Sequence, residues 1–97
     1  MPLNWGVLKS LTTSDQACLE LILYYREKCH LCDAMRKALV AFSQRHQPIQ
    51  WHEIDIDRDL ELVRRYDARV PVLCNGNIEI CHFFFDESAL LAALALA

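Results

Sequence analysis

Cys29 and Cys32 are the residues whose type and spacing can do chemistry together. They stand where an apolar, strand-length run at residues 19–25 gives way to an amphipathic run at residues 30–46. On a helix, positions i and i+3 share a face, so both sulfurs meet at the first turn, where backbone N–H groups point outward. That position favours an anion. A thiolate is the reactive form of cysteine, and a helix N-terminus and a C-x-x-C pairing both lower its pKa from about 8.5 towards roughly 3.5–7.5. Lys28 is a neighbouring cation and His30 adds a partial one near neutral pH, whereas Asp33 opposes them weakly. The pattern predicts thiol redox chemistry, with His30 tuning it.

The same two sulfurs fit metal sites poorly. Zinc needs four ligands, usually two such pairs, and the chain has no second C-x-x-C and no H-x-x-x-H. A c-type haem site needs a histidine directly after the second cysteine, and here His30 lies inside the pair. No metal ligand is assigned. The total of five cysteines is odd, so at least one is unpaired, and without an export signal a structural disulfide framework is not expected.

A chain of 97 residues holds one domain and one small core. With 54% hydrophobic residues, two glycines and three prolines it has the profile of a folded protein, not a disordered tail. Net charge is −3, and the densest basic cluster, Arg64, Arg65 and Arg69, is interleaved with Glu61 and Asp67. No phosphate-tracking stripe results, so nucleic acid is not expected as a partner. No apolar stretch approaches the roughly 18 residues of a membrane span, and polar residues interrupt any leader-like region at the start. The expectation is a monomer in the cytoplasm, away from membranes.

The elements that must position the cysteines follow in order. Residues 1–17 have no period and are expected to form a loosely held arm, leaving 18–97 as the domain. Residues 19–25 read as a buried central strand. From residue 30 a helix follows, with Leu31, Met35, Ala38, Leu39 and Phe42 on its apolar face. Ile49, Trp51, Ile54 and Ile56 mark a second strand after Pro48, and Asp57 is the expected N-cap of a helix over residues 58–67 that faces Leu60, Val63 and Tyr66 inward. Residues 70–74 and 78–83 read as strands around Asn75-Gly76, a dipeptide suited to a two-residue hairpin turn. Asp86 is the expected N-cap of a last helix with Leu90, Leu91 and Leu94. A strand-helix-strand start demands a parallel pair with a right-handed crossover, and the hairpin adds antiparallel strands. The fold class is therefore α/β, a mixed four-stranded sheet flanked by three helices in the order βαβαββα.

This order, with C-x-x-C at the first strand-to-helix junction and Val70-Pro71 opening the third strand, resembles a glutaredoxin-like protein of the thioredoxin superfamily over about residues 19–96. The resemblance implies that Cys29 attacks a substrate disulfide and Cys32 resolves the mixed disulfide. It implies a cis peptide at Pro71, with Val70 offering its backbone N–H and C=O to an extended substrate. Lys28 is a candidate contact for a substrate carboxylate. Substrates would be protein or low-molecular-weight disulfides, with no bound cofactor and with glutathione as a candidate co-substrate.

The chain also departs from the glutathione-using pattern of C-P-Y-C, T-V-P, a Gly-Gly pair and an acidic turn. It has Cys29-His30-Leu31-Cys32, Arg69 in place of the threonine, Phe83-Phe84-Phe85 in the region of the glycines, and only Asp86 and Glu87 for the turn. A short C-H-L-C subgroup without the glycine pair fits best, and the three phenylalanines either fill the space in which a ligand approaches the glycines or seal the core where the strand ends. With Asn75-Gly76 as turn, Cys81 falls opposite Val70, placing Cys74 and Cys81 about 13 Å apart at ~3.3 Å per residue, beyond the ~7 Å that a disulfide spans. Cys18, Cys74 and Cys81 are read as small apolar fillers. Two other functions stay open: a metal or iron–sulfur module using the pair across a dimer, and a redox-silent adaptor that binds a protein through residues 83–85.

Overall fold

A computed structural model describes residues 19–96. The expected arm at 1–17 and the filler role of Cys18 lie outside the described residues.

Strand β1 (Leu21–Tyr25) is apolar at every position because both of its faces are covered. Leu21 and Leu23 point into one cluster with Met35, Leu39, Phe42, Leu73, Cys81 and Leu90, while Tyr24 points into another with Ile56, Tyr66, Val72 and Cys74. This two-sided burial is what a central strand requires. Helix α1 (His30–Arg45) buries Cys32, Met35, Leu39 and Phe42, at spacings of three, four and three residues that keep one stripe inward. Leu31, expected on that stripe, is 38% exposed, because Cys32 takes the inward place at the first turn.

Strand β2 (Trp51–Asp55) runs parallel to β1, and β3 (Val72–Asn75) runs antiparallel on its other side. β4 (Ile78–His82) pairs with β3, so the strand order is β2-β1-β3-β4. A 3-10 turn at Ile56–Arg58 leads to the short helix α2 (Leu60–Tyr66), and α3 (Glu87–Leu96) ends the described fold. Leu90 and Leu94 of α3 join the face of the sheet covered by α1, whereas Ile56, Leu62, Val63 and Tyr66 cover the other. The mixed four-stranded sheet with three helices is the expected fold. Among the described residues, no helix is long and apolar enough to cross a membrane.

Several local expectations are corrected. The Asp59 carboxylate, not Asp57, caps α2 by accepting the Glu61 N–H at 2.9 Å, and Asp55 caps the preceding 3-10 turn. The displaced start turns Leu60 outward, 66% exposed. Leu91 is also exposed, at 41%, since only one face of α3 meets the sheet. Asp86 does cap α3, its carboxylate accepting the Ala89 N–H at 3.0 Å.

The hairpin is shifted by one residue. Asn75 pairs with Ile78, leaving Gly76 and Asn77 as the turn, with φ +59° at Gly76. The cause is a tertiary anchor: the Asn75 side-chain oxygen accepts the Glu20 N–H at 2.8 Å, and the Gly76 N–H donates to the Glu20 carbonyl at 2.9 Å. A register shift then pairs Leu73 with Cys81 and Cys74 with Glu79. Cys74 and Cys81 are thus near neighbours along the hairpin, not the distant pair expected. They remain free thiols because they point into the two clusters on opposite faces of the sheet.

Candidate active site

Strand register brings the site together. Tyr24 pairs with Val72, and Val72 pairs with His82, so the end of β1, the start of β3 and the end of β4 share one end of the sheet. The loop before α1, the Val70-Pro71 segment and the residues after β4 all emerge there.

Arg26 fixes the first loop. Its guanidinium donates to the Asp57 carboxylate and to Asp67, each at 2.9 Å, tying the loop to both ends of the segment that holds α2. Lys28 follows with φ +57°, an uncommon left-handed conformation for a side-chain-bearing residue, which turns the chain into the helix. Cys29 is the N-cap of α1, and its Sγ accepts the Cys32 N–H at 3.1 Å. Cys29 and Cys32 are joined as a disulfide, with Cα atoms 5.1 Å apart. Their exposures differ: Cys29 is half-buried at the surface, whereas Cys32 is 1% exposed beneath it. The pair is therefore in its oxidised form, with one accessible sulfur and one enclosed.

The other sequence-selected residues lie around this pair. His30 is exposed at the first helical position, and Lys28 is exposed and makes no ion pair with a described residue. Val70-Pro71 is a cis peptide bond, as the resemblance implied. Pro71 is fully buried, and its carbonyl accepts the Phe83 N–H at 2.9 Å. Among the described residues, neither the N–H nor the C=O of Val70 has a hydrogen-bond partner, which leaves an unpaired edge beside the proline.

Sequence reasoning missed three features. The first is Arg26, whose partners lie 31 and 41 residues away, beyond any local pattern. Glu79 bridges Arg69 and His82, with His82 Nδ1 at 2.7 Å, and so ties the segment before Val70 to β4. Burial alone would raise the Glu79 carboxyl, but hydrogen bonds from His82 and Arg69 outweigh it and hold the pKa below the ordinary value. The third is the triple phenylalanine. Only Phe85 seals the core, edge-on to Phe42 at 6.1 Å; Phe83 and Phe84 are 36% and 68% exposed. The reading in which all three seal the core is thus corrected.

The remaining thiols are set apart from this chemistry. Burial pushes Cys74 and Cys81 up from the ordinary thiol range, disfavouring the thiolate. Among the described residues, no three His, Cys, Asp or Glu side chains converge as a metal site would need.

The profile of the glutaredoxin-like domain family (DUF836) matches residues 20–95. A Nitrosomonas europaea protein of known solution structure is 35% identical, covering 77% of this chain and 89% of that one, with a TM-score of 0.69. A Xanthomonas protein, from X. campestris, has a crystal structure that is 37% identical over 79% of this chain and 97% of that one, with a TM-score of 0.63. The thioredoxin of Fasciola hepatica shares the fold at 16% identity, over 93% of this chain and 90% of that one, with a TM-score of 0.50. No curated protein matches the chain.

Proposed function

The chain belongs to the glutaredoxin-like domain (DUF836) family, and from that premise we propose that it is a thiol–disulfide oxidoreductase working through Cys29 and Cys32. The coarser reading, a redox-type function, rests on the family, the thioredoxin fold and the C-x-x-C pair together. The finer one is carried by the asymmetry of the pair: an accessible N-cap sulfur that accepts a backbone N–H, above an enclosed partner one turn on.

In the reduced protein the Cys29 thiolate attacks one sulfur of a substrate disulfide and expels the other as a thiolate, which takes a proton from solvent. The enzyme is then joined to substrate by a mixed disulfide. Cys32, giving up its proton, attacks Cys29 Sγ and expels the second substrate thiol. The substrate has gained two electrons and two protons, and the Cys29–Cys32 disulfide has formed. An external thiol, with glutathione as a candidate, returns the two electrons. Val70 hydrogen-bonds the extended substrate through its unpaired main chain, Pro71 fixes that edge, Lys28 meets a substrate carboxylate, and His30 favours the thiolate.

The test is reduction of a peptide disulfide under a thiol reductant. Cys29→Ser is expected to reduce turnover to the rate of the uncatalysed exchange; turnover at the wild-type rate would overturn the assignment.

A further inference from the structure

The residues after β4 form an exposed aromatic ledge held in a strained backbone. Phe83 has φ +65°, and the Phe84 N–H donates to the His82 carbonyl at 2.7 Å, a three-residue γ-turn of the rare positive-φ kind. Such a conformation is unfavourable for a side-chain-bearing residue and persists only where its surroundings hold it. The hold is visible in the bond from the Phe83 N–H to the Pro71 carbonyl. The rings of His82, Phe83 and Phe84 stand edge to face, at centroid distances of 4.7 and 6.4 Å. Phe84, and in part Phe83, are thus kept in solvent beside the proline, although burial would stabilise both.

Resting on the oxidoreductase reading, we infer that this ledge selects the substrate: it receives an apolar side chain of a polypeptide segment whose cysteine is attacked by Cys29. Three observations point to that occupant. The ledge is continuous with the unpaired main chain of Val70 through Pro71. The register that pairs Tyr24 with Val72 and Val72 with His82 brings the loop that leads to Cys29 and the residues after β4 to the same end of the sheet. The Glu79 carboxylate behind the rings is already matched by Arg69 and His82, so the face that the rings present is apolar. Glutathione disulfide, with several carboxylates and no apolar side chain, gains nothing from the rings.

The test uses two peptide disulfides that differ only in one residue within three positions of the cysteine, leucine in one and serine in the other. The reduced full chain is expected to react with the leucine peptide about tenfold faster, the equivalent of ~1.4 kcal/mol. Phe84→Ser and Phe83→Gly are expected to bring that ratio close to one. Glycine accepts φ +65° without strain, so F83G is expected to keep the turn that removal of the ring leaves behind. A ratio of one in the wild type, or a ratio that neither substitution moves, overturns the inference and leaves the oxidoreductase reading standing. No exchange with either peptide overturns both. A dimer that F84S dissociates would give the ledge to a second copy of the chain and overturn it too.

Discussion

At the scale of single residues, what separates Cys29 from the other thiols is access. Cys74 and Cys81 are buried, burial raises their pKa values, and each lies inside a packed cluster. Brief alkylation of the reduced protein, followed by peptide mapping, is expected to label Cys29 and spare Cys74 and Cys81; prompt labelling of either would contradict the burial argument. The spacing of Cys29 and Cys32 made this pair legible in the sequence, because a helical face is a local property. The faces of Cys74 and Cys81 were not legible, since they depend on a hairpin register that Glu20 sets from 55 residues away. Gly76 carries the matching prediction. Nothing lies within 4 Å of an added Cβ, so Gly76→Ala is expected to cost only the backbone term at φ +59°, about 1 kcal/mol by denaturant unfolding. A loss several times larger would mean that the turn is packed more closely than the structure places it.

Among the elements, α1 does most to place the site, because its N-terminus holds the disulfide while Met35, Leu39 and Phe42 hold its body to the sheet. Phe42 is 0% exposed and touches both the helix end and Phe85, so Phe42→Ala is expected to destabilise by about 3–5 kcal/mol. At the other end of α1, Arg45 and His46 both reach Glu87 at the start of α3, each at 2.9 Å. The Arg45 hydrogen bond first, and that of His46 second, hold the Glu87 carboxyl below its ordinary pKa. A carboxylate whose pKa is depressed by folding stabilises the fold above its unfolded pKa of about 4.3, and that contribution disappears as pH falls through the folded value. The difference in Tm between wild type and Glu87→Gln should therefore be present at pH 7 and shrink towards pH 3. A difference that stays constant would place its origin in packing, not charge. Element order was legible from periodicity throughout, but the ends of α2 were not: four aspartates, Asp55, Asp57, Asp59 and Asp67, flank or precede it, and only the path of the chain selects Asp59 as its cap.

For the whole molecule, the sheet order is what turns separate motifs into one site. Placing β1 in the centre, with β2 parallel on one side and β3 antiparallel on the other, brings the loop before α1, the Val70-Pro71 edge and the Phe83-Phe84 ledge to the same end. The strand-helix-strand start and the hairpin made this topology readable from the sequence, because parallel and antiparallel connections differ in length. The clamp of Arg26 on Asp57 and Asp67 and the bridge of Glu79 between Arg69 and His82 were not readable, since both join segments that only the folded sheet brings together. The measurement that tests the central claim most directly is capture of the mixed disulfide. Reduced Cys32→Ser is incubated with a peptide disulfide, quenched with acid, and mapped by mass spectrometry. The account predicts one peptide adduct per chain, on Cys29, that persists because no resolving thiol remains at position 32. Adducts spread over the other cysteines, or none on Cys29, would contradict it.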